Sequence, residues 1–164
     1  MPKIITIHGP MAVGKSTITA QLREKLPAYA YVDRPYIKRG LKPLGRELAL
    51  KLSKEASYYL TRKIMRLGKN IILEEISPVS LRRKIKHGIF KKYNYQIYSF
   101  YLICSVAEAK RREKLRRTEK RPRPRLLEQI HKEFPPPSKS EIVIDTEKLS
   151  ANQAVKFILK KIGK

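Results

Sequence analysis

The stretch Gly9-Pro10-Met11-Ala12-Val13-Gly14-Lys15-Ser16 decides the fold. It fits the pattern G-x-x-x-x-G-K-[ST], and its surroundings suit that pattern. Before it, Ile4-Ile5-Thr6-Ile7 is an apolar, β-branched run that reads as a buried strand; after it, Ser16 to about Lys25 reads as a helix. A strand, such a loop and a helix in that order make a phosphate-binding P-loop. Glycine lets the backbone wrap closely around phosphate oxygens, and main-chain N–H groups at the helix start point at the anion. Gly9, Met11, Ala12, Val13 and Gly14 are thus expected to line the phosphates together with Lys15 and Ser16. Lys15 is placed to reach the β- and γ-phosphates and the Ser16 hydroxyl to ligate Mg²⁺. The expected ligand is a nucleoside triphosphate.

Size and composition set bounds on the rest. A chain of 164 residues is read as one domain, residues 1–164, with enough apolar content for a core. It leaves no room for the extra helical subdomain of an AAA+ ATPase. The chain enters a strand almost at once, so no signal peptide is expected, and no apolar stretch approaches the roughly 20 residues of a membrane span. The single cysteine, Cys104, lies in an apolar run and reads as a core position. With no intrachain disulfide available, a cytoplasmic location is expected. The formal charge of +24 reflects a scarcity of acids, not a matched rise of both signs. Such a field favours polyanions, namely nucleic acid, phosphorylated substrates or an anionic membrane surface, although it also fits a solvated surface.

Apolar strands alternate with amphipathic helices, the pattern of a parallel α/β sheet. Strands are expected at 28–32, 70–76, 96–104 and 141–145 besides the first. Leu44 to about Leu67 looks helical, its apolar stripe being Leu48, Leu52, Ala56, Leu60, Ile64 and Leu67, with Gly68 as the stop. Ser77-Pro78 reads as a cap and first-turn proline of a further helix. Ser105 and Glu108 have capping-box spacing and open a helix to about Arg117. Thr118–Arg125 is basic and proline-punctuated and reads as a flap. A short helix at 126–133, Pro135-Pro136-Pro137 and a final helix from Ser150 to Ile162 follow. Five strands with helical crossovers make a three-layer α/β/α sandwich with ligands at the carboxyl ends of the strands.

Several residues outside the loop carry chemistry. Asp33 ends the second strand on the ligand side, where a carboxylate can take the proton of an attacking hydroxyl; it could equally start a turn before Pro35. Glu74 and Glu75 end the third strand, where an acid would hold Mg²⁺ or its waters. Alternation sends the two to opposite faces, and Glu74 is the one expected to face the triphosphate. Arg112 and Arg116 are one helical turn apart, and Arg117, Arg121, Arg123 and Arg125 extend the cluster into the flap. Guanidinium groups closing on a transferring phosphoryl group stabilise its charge. Pro135–Pro137 reads either as a wall beside a nucleotide base or as a stiff linker. Tyr29, Tyr31, Tyr58 and Tyr59 fit core packing better than base stacking. His8 alone says little, and no zinc-ligand spacing is present.

With these pieces assembled, the chain resembles the small P-loop kinases related to adenylate kinase, most closely the AAA_33-type branch containing polynucleotide 5′-kinases and zeta toxins. That resemblance spans nearly the whole chain. It implies a sheet ordered 2-3-1-4-5, an arginine-rich lid at about 116–126, and ATP with Mg²⁺ as phosphoryl donor. It also implies that Gly14, Lys15, Ser16 and Thr17 hold phosphate and Mg²⁺, that Asp33 is the base on the acceptor hydroxyl, that Arg112 stacks on adenine, and that Arg116 is the lid arginine. Two departures stand out: Glu74 replaces the branch's usual Asp, and the arginine just beyond the base has three candidates, Arg34, Lys38 and Arg39.

The acceptor would lie between two basic regions, one with Arg34, Lys38, Arg39, Lys42 and Arg46, the other with Arg82, Arg83, Lys84 and Lys86. A groove lined this way suits a phosphate backbone. The sequence therefore points to an ATP-dependent kinase acting on a hydroxyl, with a nucleic-acid 5′ end, RNA or DNA, as first choice. A kinase of a nucleoside, nucleotide or other small metabolite is the rival. An RNA-associated ATPase without an acceptor is the third reading.

Overall fold

The computed structural model describes residues 1–75, 91–115 and 124–164. The chain runs β1 (Lys3–His8), α1 (Lys15–Lys25), β2 (Ala30–Asp33), α2 (Arg34–Gly40), α3 (Arg46–Arg66), β3 (Ile71–Glu74), β4 (Gln96–Ile103), α4 (Val106–Lys114), α5 (Pro124–Glu133), β5 (Ile142–Asp145) and α6 (Ala151–Lys161), with single 3₁₀ turns at Lys42–Leu44 and Lys91–Tyr93. The five strands form one sheet in the order β2-β3-β1-β4-β5, and every pairing is parallel. This is the sheet order that the family resemblance implies.

Alternation along β1 divides its side chains between two cores. Ile5 and Ile7 join Phe100 and Leu102 of β4 against Ile18 and Leu22 of α1 and Val155 and Ile158 of α6. Ile4 points the other way, with Ile71 and Leu73 of β3 against Tyr58 and Met65 of α3. Helices on both faces of a parallel sheet give the three layers. A third, small cluster sets Ala12 of the P-loop against Ala109 of α4 and Leu127 of α5.

Helix α3 corrects one reading. The leucine stripe is not its buried face: Leu48, Leu60 and Leu67 are 44%, 43% and 71% exposed. The buried positions are Ala49, Ser53, Ser57, Tyr58, Thr61 and Met65. Ser53, Ser57 and Thr61 each donate a hydroxyl hydrogen bond to a carbonyl three or four residues back. With their polar atoms satisfied inside the helix, these small side chains let the backbone sit close to the sheet.

Other expectations shift at their edges. The segment after Asp33 is a helix, α2, and α3 starts at Arg46 after a 3₁₀ turn. The second and third strands are shorter than expected, and α5 starts at Pro124. Ser105 accepts from the Glu108 amide, but the Glu108 carboxylate turns to Arg111 and Arg112, so the capping box is half made. Ser150 and Gln153 make a full capping box at α6. The helix expected from Ser77-Pro78, Arg82, Arg83, Lys84 and Lys86, and most of the flap including Arg116, Arg117, Arg121 and Arg123, lie outside the described residues.

Candidate active site

The P-loop leaves β1 at Gly9, where the backbone passes so close to β4 that any Cβ would run into the Leu102 carbonyl oxygen. Gly14 then takes φ +91° and is the N-cap of α1. That cap has no side-chain hydrogen bond, and the first turn of α1 carries no acid. Its first amide groups therefore have no capping side chain and are left to bond an anion. The Lys15 ammonium donates to the carbonyls of Gly9 (2.8 Å) and Pro10 (2.6 Å) across the loop.

Ala12 adopts φ +61°, a conformation that costs a non-glycine residue roughly 1–2 kcal/mol. Two contacts support it. Its methyl group is buried against α4 and α5, and the carbonyl of neighbouring Met11 accepts a 2.7 Å hydrogen bond from His131 Nε2. His131, 120 residues away in sequence, was not read as a site residue; the only cue was its place near the end of a short amphipathic helix.

Glu74 faces the P-loop side. Its Oε1 accepts from Ser16 Oγ at 3.2 Å, and its Oε2 accepts from Thr19 Oγ1 and Tyr31 Oη, both at 2.8 Å. Burial, and then the Glu74 charge, push the Tyr31 hydroxyl well above its usual pKa, so it stays protonated and goes on donating. Glu75 turns to α3. It pairs with Arg34 Nη1 and accepts from Tyr58 Oη at 2.7 Å. Glu74, Glu75, Arg34 and Tyr58 are buried.

Asp33 stands beside Glu74 in the β2–β3 register. It is half-buried, and its Oδ1 caps α2 by accepting from the Tyr36 amide at 2.7 Å. Lys38, in the same helix, has its pKa lowered first by burial and then by the charges of Arg46 and Arg34, a sign of a crowded positive field at this end of the sheet. Arg112 reaches back from α4. Its Nε donates to Glu108 at 2.7 Å, while Nη1 and Nη2 donate to Thr146 Oγ1 and carbonyl at 2.9 and 2.5 Å. That fixed guanidinium lies 3.7 Å from where a Gly14 Cβ would be.

Behind the loop, His8 is fully buried. Its Nε2 lies 3.0 Å from Ser99 Oγ and 3.2 Å from Glu141 Oε1, and its ring meets Tyr101 edge-on. Tyr101 in turn donates to the Pro135 carbonyl at 2.7 Å. The proline segment is thus tied to β4 beside the P-loop. Tyr58 is core and Tyr31 is a Glu74 ligand, whereas Tyr59 is 57% exposed, against the expectation of core packing. Cys104 is half-buried beside Ala12 and Leu127, with burial raising its thiol pKa.

The oxygen donors at the loop, one hydroxyl and one carboxylate, fit a small hard cation such as Mg²⁺, which takes few protein ligands and draws the rest from phosphate and water. Among the described residues no group of three or more His, Cys, Asp or Glu is placed to hold a metal by itself, and no helix is long and apolar enough to cross a membrane.

Solved structures with this fold cover almost the whole chain. A protein described as a kinase from Chloroflexus aurantiacus is 17% identical with a TM-score of 0.79, covering 99% of this chain and 96% of its own. The APS kinase of Mycobacterium tuberculosis, solved with AMPPNP and APS, is 14% identical with a TM-score of 0.74, covering 99% and 98%. A gluconokinase of Sinorhizobium meliloti is 14% identical with a TM-score of 0.72, covering 99% and 92%. No match was found among curated proteins. The AAA_33 family model, described as an AAA domain, matches residues 4–137. The span from β1 through the P-loop, both strand-end acids and α5 therefore places this chain in the AAA_33 family of P-loop proteins.

Proposed function

We propose that this protein transfers the γ-phosphoryl group of ATP to a hydroxyl, and that the acceptor is the 5′-OH of a nucleic acid. The observation that carries the reading is Asp33 beside Glu74 at the P-loop end of the sheet, so that a proton acceptor neighbours the triphosphate site. The loop amides and Lys15 bind the β- and γ-phosphates. Arg112, locked by Glu108 and Thr146, offers a flat face to the adenine. Ser16 and Glu74 would hold Mg²⁺, which neutralises charge on the phosphates when bound. Asp33 accepts the acceptor's hydroxyl proton as its oxygen bonds to the γ-phosphorus; the bond to the β-phosphate oxygen breaks, and ADP leaves. Arg116 is proposed to close on the transferring group.

The charge of +24 and the cations around Asp33 favour a polyanionic acceptor over a neutral one. A small hydroxyl-bearing metabolite is the second reading, since two proteins of this fold are described as an APS kinase and a gluconokinase. Incubation with γ-labelled ATP decides among them. Label on 5′-OH RNA or DNA, weakening steeply with salt, supports the first reading; label on a free metabolite replaces it with the second. Label only in inorganic phosphate makes the protein an ATPase.

A further inference from the structure

The far end of the sheet carries a feature that the triphosphate site does not use. From Ala56 to Ala107 the sequence holds ten lysines and arginines but two acids, Glu74 and Glu75, both buried. In the last two turns of α3, Tyr59, Arg62, Lys63 and Arg66 fall at i, i+3, i+4 and i+7, one exposed face. The segment before β4 adds exposed Lys92 and half-buried Tyr93. Tyr95 fastens this segment to the helix by donating to the carbonyls of Met65 (3.3 Å) and Lys69 (2.7 Å).

The cations here have aromatic neighbours in place of carboxylates. Lys63 Nζ lies 5.3 Å from the Tyr59 ring centre, and Arg66 Nε lies 3.4 Å from the Tyr93 hydroxyl oxygen. The nearest acid on α3, Glu55, is one turn before Tyr59. Tyr93 registers the field: the Arg66 hydrogen bond, with the charges of Arg66, Lys92 and Arg62, lowers its hydroxyl pKa. No ion pair to Arg62, Lys63, Arg66 or Lys92 occurs among the described residues. Arg66 leads into the start of β3, so the patch sits where the parallel strands begin, opposite the P-loop.

We infer that this face is a second, non-catalytic docking surface for single-stranded nucleic acid. Tyr59 and Tyr93 offer rings to bases, and Arg62, Lys63, Arg66 and Lys92 contact phosphates. Guanidinium forks match phosphate oxygens, and aromatic rings between cations are the sequence-tolerant pattern of single-strand binding. The docking does not depend on what the P-loop site phosphorylates, and it is read by binding alone.

The test is fluorescence anisotropy of a labelled mixed-sequence single-stranded oligonucleotide over a salt series. R62A/K63A/R66A is compared with K156A/K160A/K161A on α6, which removes the same charge from another exposed face. The α3 triple variant is expected to weaken binding at least about tenfold and flatten the log–log salt slope by roughly two. The α6 variant should change affinity less than about threefold, and Tyr59→Ala alone should cost about fivefold or more. Equal losses in the two triple variants would mean that only the overall charge matters and would overturn the assignment. So would unchanged binding in Tyr59→Ala, or tighter binding to phosphatidylserine vesicles than to the oligonucleotide, lost in the α3 variant. Circular dichroism and thermal melting confirm that each variant is folded.

Discussion

Glu74 and Glu75 are consecutive residues whose carboxylates serve opposite sides of the sheet, the first held by hydroxyls of the P-loop side and the second by Arg34 and Tyr58 under α3. Substituting them should separate function from stability. Glu74→Gln is expected to leave a folded protein whose nucleotide affinity no longer rises on adding Mg²⁺, measured by calorimetric titration with and without the metal. Glu75→Ala strands the buried Arg34 charge and should cost about 3–5 kcal/mol in urea unfolding. Equal stability losses would contradict this division.

Asp33 both caps α2 and is the proposed base. Asparagine caps a helix about as well as aspartate, so Asp33→Asn should keep its unfolding free energy within about 0.5 kcal/mol. Its phosphoryl transfer should fall by about 10²–10⁴-fold. Asp33→Ala should lose about 1 kcal/mol of stability in addition, through the missing bond to the Tyr36 amide. A fully active Asp33→Asn removes Asp33 from the reaction.

At Gly9 the collision with the Leu102 carbonyl leaves no space for a methyl group, and φ is +148°. Gly9→Ala should therefore push β1 and β4 apart at the loop. The expected readouts are a lower melting temperature and loss of nucleotide binding together, since one displacement causes both.

His131→Ala removes the hydrogen bond to the Met11 carbonyl in the P-loop. A single hydrogen bond contributes about 1 kcal/mol. The variant should bind ATP roughly fivefold more weakly with little change in turnover at saturating ATP. A drop in turnover with unchanged affinity would assign His131 a different role.

Acid pH should release Arg112. Hydrogen bonds from Arg111 and then Arg112 hold the Glu108 carboxyl down at about 2, from an ordinary value of 4.5. Because the folded pKa is the lower one, the pair's contribution is fully present above pH 4.5 and is lost as pH falls toward 2. The carbon-13 shift of the Glu108 carboxyl should titrate in that low range and return toward its ordinary value in Arg111→Ala/Arg112→Ala. A titration near 4.5 in the intact protein would show that the Arg112 clamp is not formed in solution.

The parts legible in the sequence were those written in local pattern. The P-loop fingerprint, the β-branched runs and their alternation with helices carry the parallel α/β sheet and the nucleotide end of the site, while the strand order came from the family resemblance. What escaped depends on contacts between distant segments. Alternation alone put Glu74 and Glu75 on opposite faces, but nothing local showed that Thr19, Tyr31, Arg34 and Tyr58 would receive them. The leucine stripe of α3 misled because hydropathy ranks leucine above serine. The helix buries Ser53, Ser57 and Thr61, whose hydroxyls are satisfied by its own carbonyls. His8 and His131, each alone in its segment, gave no pattern at all.

Helix α3 has a geometric consequence. Its first turns adjoin Asp33 through the contact of Arg34 with the Leu50 carbonyl (3.4 Å), and its last turn carries Arg66. Twenty-one residues of helix measure about 32 Å at ~1.5 Å each. A strand bound at both ends of the helix must be long enough to span that distance. The helix is then a ruler: oligonucleotides shorter than that length reach one end or the other, and a sharp rise in affinity should mark the length at which both are engaged.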